Sequence, residues 1–211
     1  MSSSTTVDNY MENIDRSAIG RRSKNKGKAG ERRTAQMLMT YTKKNFRRIP
    51  CSGSFSKIGV PVAGHVFSGD VICDDANFCF SVENKNSPAK FSFQQLAASP
   101  RTAAFTEWWV QCCQDAKLAK RLPLLIFKPC ISSTATVAAE HVALNLAGLN
   151  HLKYPVDAPK IILDLYHAPI VVEYDNEDIT IQPEMPYIIN WRSIQKHVDP
   201  ERFFALNEVI I

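Results

Sequence analysis

Asp70, Glu83 and Lys85 are the residues whose types and spacing could do chemistry. Asp70 precedes the apolar run Val71-Ile72-Cys73 and a polar turn over Asp74, Asp75, Ala76 and Asn77. A second apolar run, Phe78-Cys79-Phe80-Ser81-Val82, then ends on Glu83-Asn84-Lys85. Short apolar runs separated by Asp, Asp and Asn predict two strands joined by a tight turn. Side chains alternate faces along a strand, so Glu83 and Lys85 share a face and Asn84 points away. A hairpin brings its open ends together, which sets Asp70 near Glu83. Two carboxylates without a partner raise one another's pKa. A divalent cation removes that cost, and carboxylate oxygens suit magnesium or manganese. Lys85 adds a movable point charge that can hold a phosphate or orient a water. The competing reading is structural: Asp70 caps a turn, and Glu83 and Lys85 end a solvated strand.

The elements that position these residues lie on both sides of the hairpin. Ahead of it, the stretch from Arg16 to Arg48 is crowded with cations, and its one acid is Glu31. Beyond Pro129 the balance reverses, with Asp164, Glu173, Asp175, Glu177, Asp178 and Glu184. A one-sided basic block predicts a polyanionic partner, nucleic acid first, with a solvated tail as the alternative. Residues 1 to about 25 lack apolar periodicity and are expected to form a mobile arm. Ala35, Leu38, Met39 and Thr42 recur at helical spacing, which predicts a helix from Gly30 to Thr42. Glu31 falls in its first turn, where the helix dipole favours a carboxylate. Phe46-Arg47-Arg48-Ile49-Pro50 reads as a short strand leading to the small-residue loop Cys51-Ser52-Gly53-Ser54. Hydroxyls and backbone N–H groups in such a loop can bind phosphate oxygens, although the same residues also make ordinary turns.

After Lys85, Asn86-Ser87-Pro88 breaks the strand, and helices are expected over Phe91–Ala98 and Thr106–Arg121. In the second, Trp109, Cys112, Cys113 and Ala116 form the apolar stripe, and Gln111, Gln114, Asp115 and Lys117 lie off it. Leu122–Lys128 reads as a buried strand. Further strands are expected at Ile161–Leu165, Ile170–Glu173, Ile179–Ile181 and Pro186–Trp191, with a short helix from Ser193. At 211 residues, with 45% apolar and 22% charged residues, the chain has the size and balance of one globular domain. No apolar stretch reaches the 18 residues of a membrane span, so no membrane partner is expected. The first residues lack the basic and apolar regions of a secretory signal. Six cysteines without a Cys-x-x-Cys pair read as free thiols in a reducing cytoplasm.

Asp70, followed thirteen residues on by Glu83-Asn84-Lys85, resembles the core motif of the PD-(D/E)xK nuclease superfamily. Gly69 stands where that family usually has Pro. Lys26-Gly27-Lys28-Ala29-Gly30-Glu31-Arg32 is similar to the start of the Holliday-junction resolvases within it. Arg48 and Ser52 match that family's basic strand and Ser-Gly loop by position and type.

The resemblance covers about residues 24 to 128 and implies an α/β, restriction-endonuclease-like core: a central mixed β-sheet flanked by helices, with a C-terminal α+β extension or insertion. It divides the chain into an arm (1–23), a nuclease core (24–130), an insertion (131–185) and a closing strand and helix (186–211). It also implies magnesium, with manganese substituting, held by Asp70, Glu83, the backbone carbonyl of Asn84 and Glu31. Lys85 would orient the attacking water, with Gln111 or Gln114 behind the metal. Lys24, Lys26, Lys28, Arg32, Arg33, Arg47, Arg48 and Ser52 would grip DNA. The implied activity is a Holliday-junction-resolvase-like DNA endonuclease, acting on branched DNA as a homodimer. The alternatives are a restriction- or repair-type nuclease or exonuclease on duplex DNA, and a non-catalytic DNA-binding protein that keeps the fold.

Overall fold

The computed structural model describes residues 16–49, 69–86, 92–98, 104–129, 140–163, 170–174, 177–181 and 184–205. Helix α1 (Arg16–Thr42) leads to β1 (Phe46–Arg48), β2 (Val71–Cys73) and β3 (Phe80–Lys85). Helices α2 (Phe93–Ala98) and α3 (Ala104–Leu118) then lead to β4 (Leu122–Phe127) and β5 (His141–Leu144). The rest comprises α4 (Leu146–His151), β6 (Ile161–Ile162), β7 (Ile170–Tyr174), β8 (Glu177–Ile181), β9 (Tyr187–Asn190) and α5 (Trp191–His197), closed by a 3₁₀ turn at Pro200–Phe204.

Among the described residues, seven strands form one sheet in the order β1-β2-β3-β4-β5-β9-β6. β3 and β4 run parallel with Glu83 opposite Leu125, and the other pairs are antiparallel. A parallel pair needs a crossover, and here α2 and α3 supply it. The expected α/β architecture is therefore present: a mixed sheet with helices on both faces.

Period-2 alternation sorts the sheet's side chains into two cores. Phe80, Val82, Leu124, Ile126, Val142, Leu144 and Ile189 face α1, α5 and the 3₁₀ turn, against Ala35, Leu38, Trp191, Ile194 and Phe203. Leu125, Phe127, Ala143 and Ile188 face the other way, against Leu96, Phe105, Trp109 and Cys112. Both faces of β4 are covered, which is why its sequence is continuously apolar. The same parity rules β3. Asn84 follows Phe80 and Val82 onto the α1 face, where its Nδ2 donates to Thr34 Oγ1 at 2.7 Å. Glu83 and Lys85 turn to the α3 face.

Two sequence expectations differ from what is found. Helix α1 begins at Arg16, well before Gly30, and runs 27 residues, about 40 Å. The stretch ahead of Gly30 carries no apolar stripe in its sequence. Arg, Lys and Ala are nonetheless good helix formers and carry the helix on. Gly30 lies inside the helix because α1 crosses the end of β3 closely. A Cβ there would sit 2.6 Å from Asn84 Oδ1 and 2.8 Å from Asn86 Cβ. The second difference concerns residues 131–185, read as one insertion. They contribute β5 and β6 to the main sheet, and β7 and β8 form a separate two-stranded ribbon. β5 is too short, at four residues, for its apolar run to stand out as a strand. β9 takes up Tyr187–Asn190 of the strand expected over Pro186–Trp191, and α5 starts at Trp191, two residues before the expected Ser193.

Candidate active site

Asp70 sits where β2 begins and is held through its backbone on both sides. Its N–H donates to the Val82 carbonyl at 2.7 Å, and its carbonyl accepts from the Ile49 N–H at 2.9 Å. Gly69 makes this placement possible. Its φ is +82°, and a Cβ there would lie 2.3 Å from the Val82 oxygen. Proline, locked near −65°, cannot take that φ. The departure from the resembled pattern therefore has a backbone cause.

Val71 pairs with Val82, so the next step along the register sets Asp70 beside Glu83. Asp70 Oδ2 also accepts the Asn84 N–H at 3.0 Å, which ties its carboxylate to β3. Glu83 is 3% exposed. Its Oε1 lies 2.6 Å from Lys85 Nζ, and that ammonium also donates to Gln111 Oε1 at 3.0 Å. Burial first, and then the neighbouring Asp70, push the Glu83 carboxyl up to about 8, against the pull of Lys85. The hairpin expectation is thus met in space: Asp70, Glu83 and Lys85 share one face at one edge, and Gln111 joins them from α3. Gln114 is half-buried on the same helix.

Asp115 was read as lying off the apolar stripe of α3, yet it is only 8% exposed. The helix is covered over a wide arc, from Phe105 and Trp108 to Cys112, Asp115 and Ala116. Burial, and then Asp70, raise the Asp115 carboxyl to about 6, with Lys85 lowering it. The partial signal is its spacing: Asp115 is three residues from Cys112 and next to Ala116, at the margin of the stripe.

Glu31 is carried by α1, the helix that packs on the sheet face away from Glu83. It points from α1 towards β1 and forms an ion pair with Arg48. Arg47 is engaged by Asp74 at 3.2 Å. Lys26, Lys28, Arg32 and Arg33 are exposed on α1 and carry no ion pair among the described residues. Lys28 and Arg32 are one turn apart on one row; Lys26 and Arg33, two turns apart, share another row, roughly 100° or more around the helix. Lys24 lies within α1, and Ser52 lies outside the described residues.

Among the described residues, no group of three or more His, Cys, Asp or Glu is arranged to hold a metal ion, and no helix is long and apolar enough to cross a membrane. The donor set still fits a hard divalent cation. Asp70, Glu83 and Asp115 crowd three carboxyl groups around one ammonium, and two of them are pushed towards the neutral form. A dication would offset that excess of acid.

The family model described as "Phage putative PDDEXK endonuclease" matches residues 22–183, which include α1, the hairpin and α3. No curated protein and no solved structure matches the chain.

Proposed function

We propose that this chain, which belongs to the family described as "Phage putative PDDEXK endonuclease", is a magnesium-dependent DNA endonuclease that cuts branched, junction-type DNA as a homodimer. The observation that carries the reading is the convergence of Asp70, Glu83 and Lys85 on one sheet face. The junction preference rests on the likeness of residues 26–32 to the start of junction resolvases. The homodimer follows from the two-fold symmetry of a four-way junction.

Asp70, Glu83 and the backbone carbonyl of Asn84 would hold the ion, and Glu31 would join them only by giving up Arg48. Such an ion, when bound, lowers the pKa of a water and offsets charge on a phosphate. Lys85, poised between Glu83 and Gln111, would donate to the attacking water and to the phosphate oxygens as negative charge grows there. Gln111 would keep that ammonium aimed when Glu83 turns to the ion. Asp70 stays in register because the Asn84 N–H holds its other oxygen.

The test is cleavage of labelled four-way junction, linear duplex and flap DNA in magnesium by wild type and Lys85→Ala. Symmetric nicking of the junction alone, slowed about 10²–10³-fold in the variant, is the expected result. Cutting of duplex or ends would move the assignment to a restriction- or repair-type nuclease. Tight binding with no cleavage by either protein would leave a DNA-binding protein on a nuclease fold.

The cations of α1 would contact the DNA backbone. The Lys28→Ala/Arg32→Ala protein should bind DNA more weakly, and its plot of log K against log salt should be shallower by about 2, one unit per lost phosphate contact. A slope equal to that of wild type would take α1 off the DNA.

A further inference from the structure

The α3 face of the sheet holds one acid that the reaction above does not use. Asp115 is more than nine-tenths buried and has neither a hydrogen bond nor an ion pair from its side chain among the described residues. Its oxygens are not sealed from solvent, so a water can reach them. Its position is set by Gln111. One helical turn, about 5–6 Å, separates Gln111 from Asp115, and two strand residues, about 6.6 Å, separate Lys85 from Glu83. Helix α3 lies between the parallel strands β3 and β4 as their crossover, so it runs back against them. Lys85 Nζ meets both Gln111 Oε1, at 3.0 Å, and Glu83 Oε1, at 2.6 Å. Asp115 follows one turn on along α3, near enough for its charge to act on Glu83 and for that of Asp70 to act on it.

We propose that Asp115 is an outer member of the cation site, reaching the ion through a bound water and thereby setting its affinity; this rests on the metal-dependent reading above. Two points support a water-mediated role. The acids are not arranged to ligate one ion as a trio, whereas magnesium keeps several of its waters and leaves room for acids beyond its direct ligands. The charges also balance. Three ionised acids and one ammonium sum to −2, which one divalent cation cancels. Carboxylates that hold a metal-bound water or ligand commonly change metal affinity 10–100-fold when removed.

The test is binding of Mn²⁺ and Mg²⁺ to the DNA-free full chain by calorimetry, for wild type, Asp115→Asn and Asp115→Ala, with thermal melts of each. Asp115→Asn keeps the shape of the side chain; Asp115→Ala serves if the amide disturbs the fold. The expected result is affinity lowered 10–100-fold in both variants with melting at or above that of wild type. Cleavage should then recover at raised magnesium. Unchanged metal affinity in folded variants would overturn the role of Asp115 while leaving the nuclease assignment intact. A wild-type protein that binds neither ion and cuts no DNA would overturn both.

Discussion

Glu83→Gln is expected to abolish cleavage and, in the same molecule, to raise stability at alkaline pH. The loss of activity follows from removing a cation-holding carboxylate, and should be at least about 10³-fold, of the size of other single electrostatic contributions at active sites. The gain in stability follows from where Glu83 sits. Its carboxyl is buried beside Asp70, with Asp115 also near, and only Lys85 opposes them. Its pKa in the folded chain, about 8, is above that of an ordinary glutamate. A raised carboxyl pKa means that the folded state holds a proton that the unfolded state releases. The stability tied to it is complete below the ordinary glutamate range and is lost as pH rises through about 8. Glutamine carries no such penalty. The gain should be nil near pH 4 and on the order of 2–4 kcal/mol near pH 9 without divalent ions. That corresponds to about 5–10 °C in Tm for a chain of this size. Calorimetric melts at both pH values in a chelator would check it. A variant no more stable than wild type at pH 9 would mean that Glu83 is ionised in the folded chain at no cost. Magnesium at pH 9 should raise the Tm of wild type more than that of the variant.

Gly69→Ala is expected to unfold the site from its backbone. Two costs act together. A φ of +82° suits glycine and strains any other residue by about 1 kcal/mol or more. The new Cβ would also fall 2.3 Å from the Val82 oxygen, a backbone atom that cannot swing aside. That oxygen accepts the Asp70 N–H, so relief of the clash moves Asp70 away from Glu83. A destabilisation of roughly 3 kcal/mol or more in urea is expected, near the top of the usual range for single substitutions. Cleavage should fall by about 10²-fold or more even where the protein stays folded, because catalysis tolerates displacements of less than about 1 Å. Gly69→Pro should be at least as damaging, although proline is the residue usual in the resembled family. Unfolding free energies from urea within about 0.5 kcal/mol of wild type, with cleavage intact, would show that the turn can re-form around a side chain.

The sequence by itself determined the hairpin, its facing and most of the core. Alternation over Phe80–Lys85 was enough to put Glu83 and Lys85 on one face and Asn84 on the other, because a strand has only two sides. The continuous apolar run at β4 announced a strand covered twice over. Tertiary structure decided what depends on distant partners. It drew β5 and β6 into the main sheet through pairing with strands far along the chain. It turned Glu31 to Arg48, an ion pair between residues seventeen apart that no local pattern encodes. It also buried Asp115, because the arc of α3 that is covered depends on how the helix lies across β3 and β4, and spacing along one helix does not specify that angle.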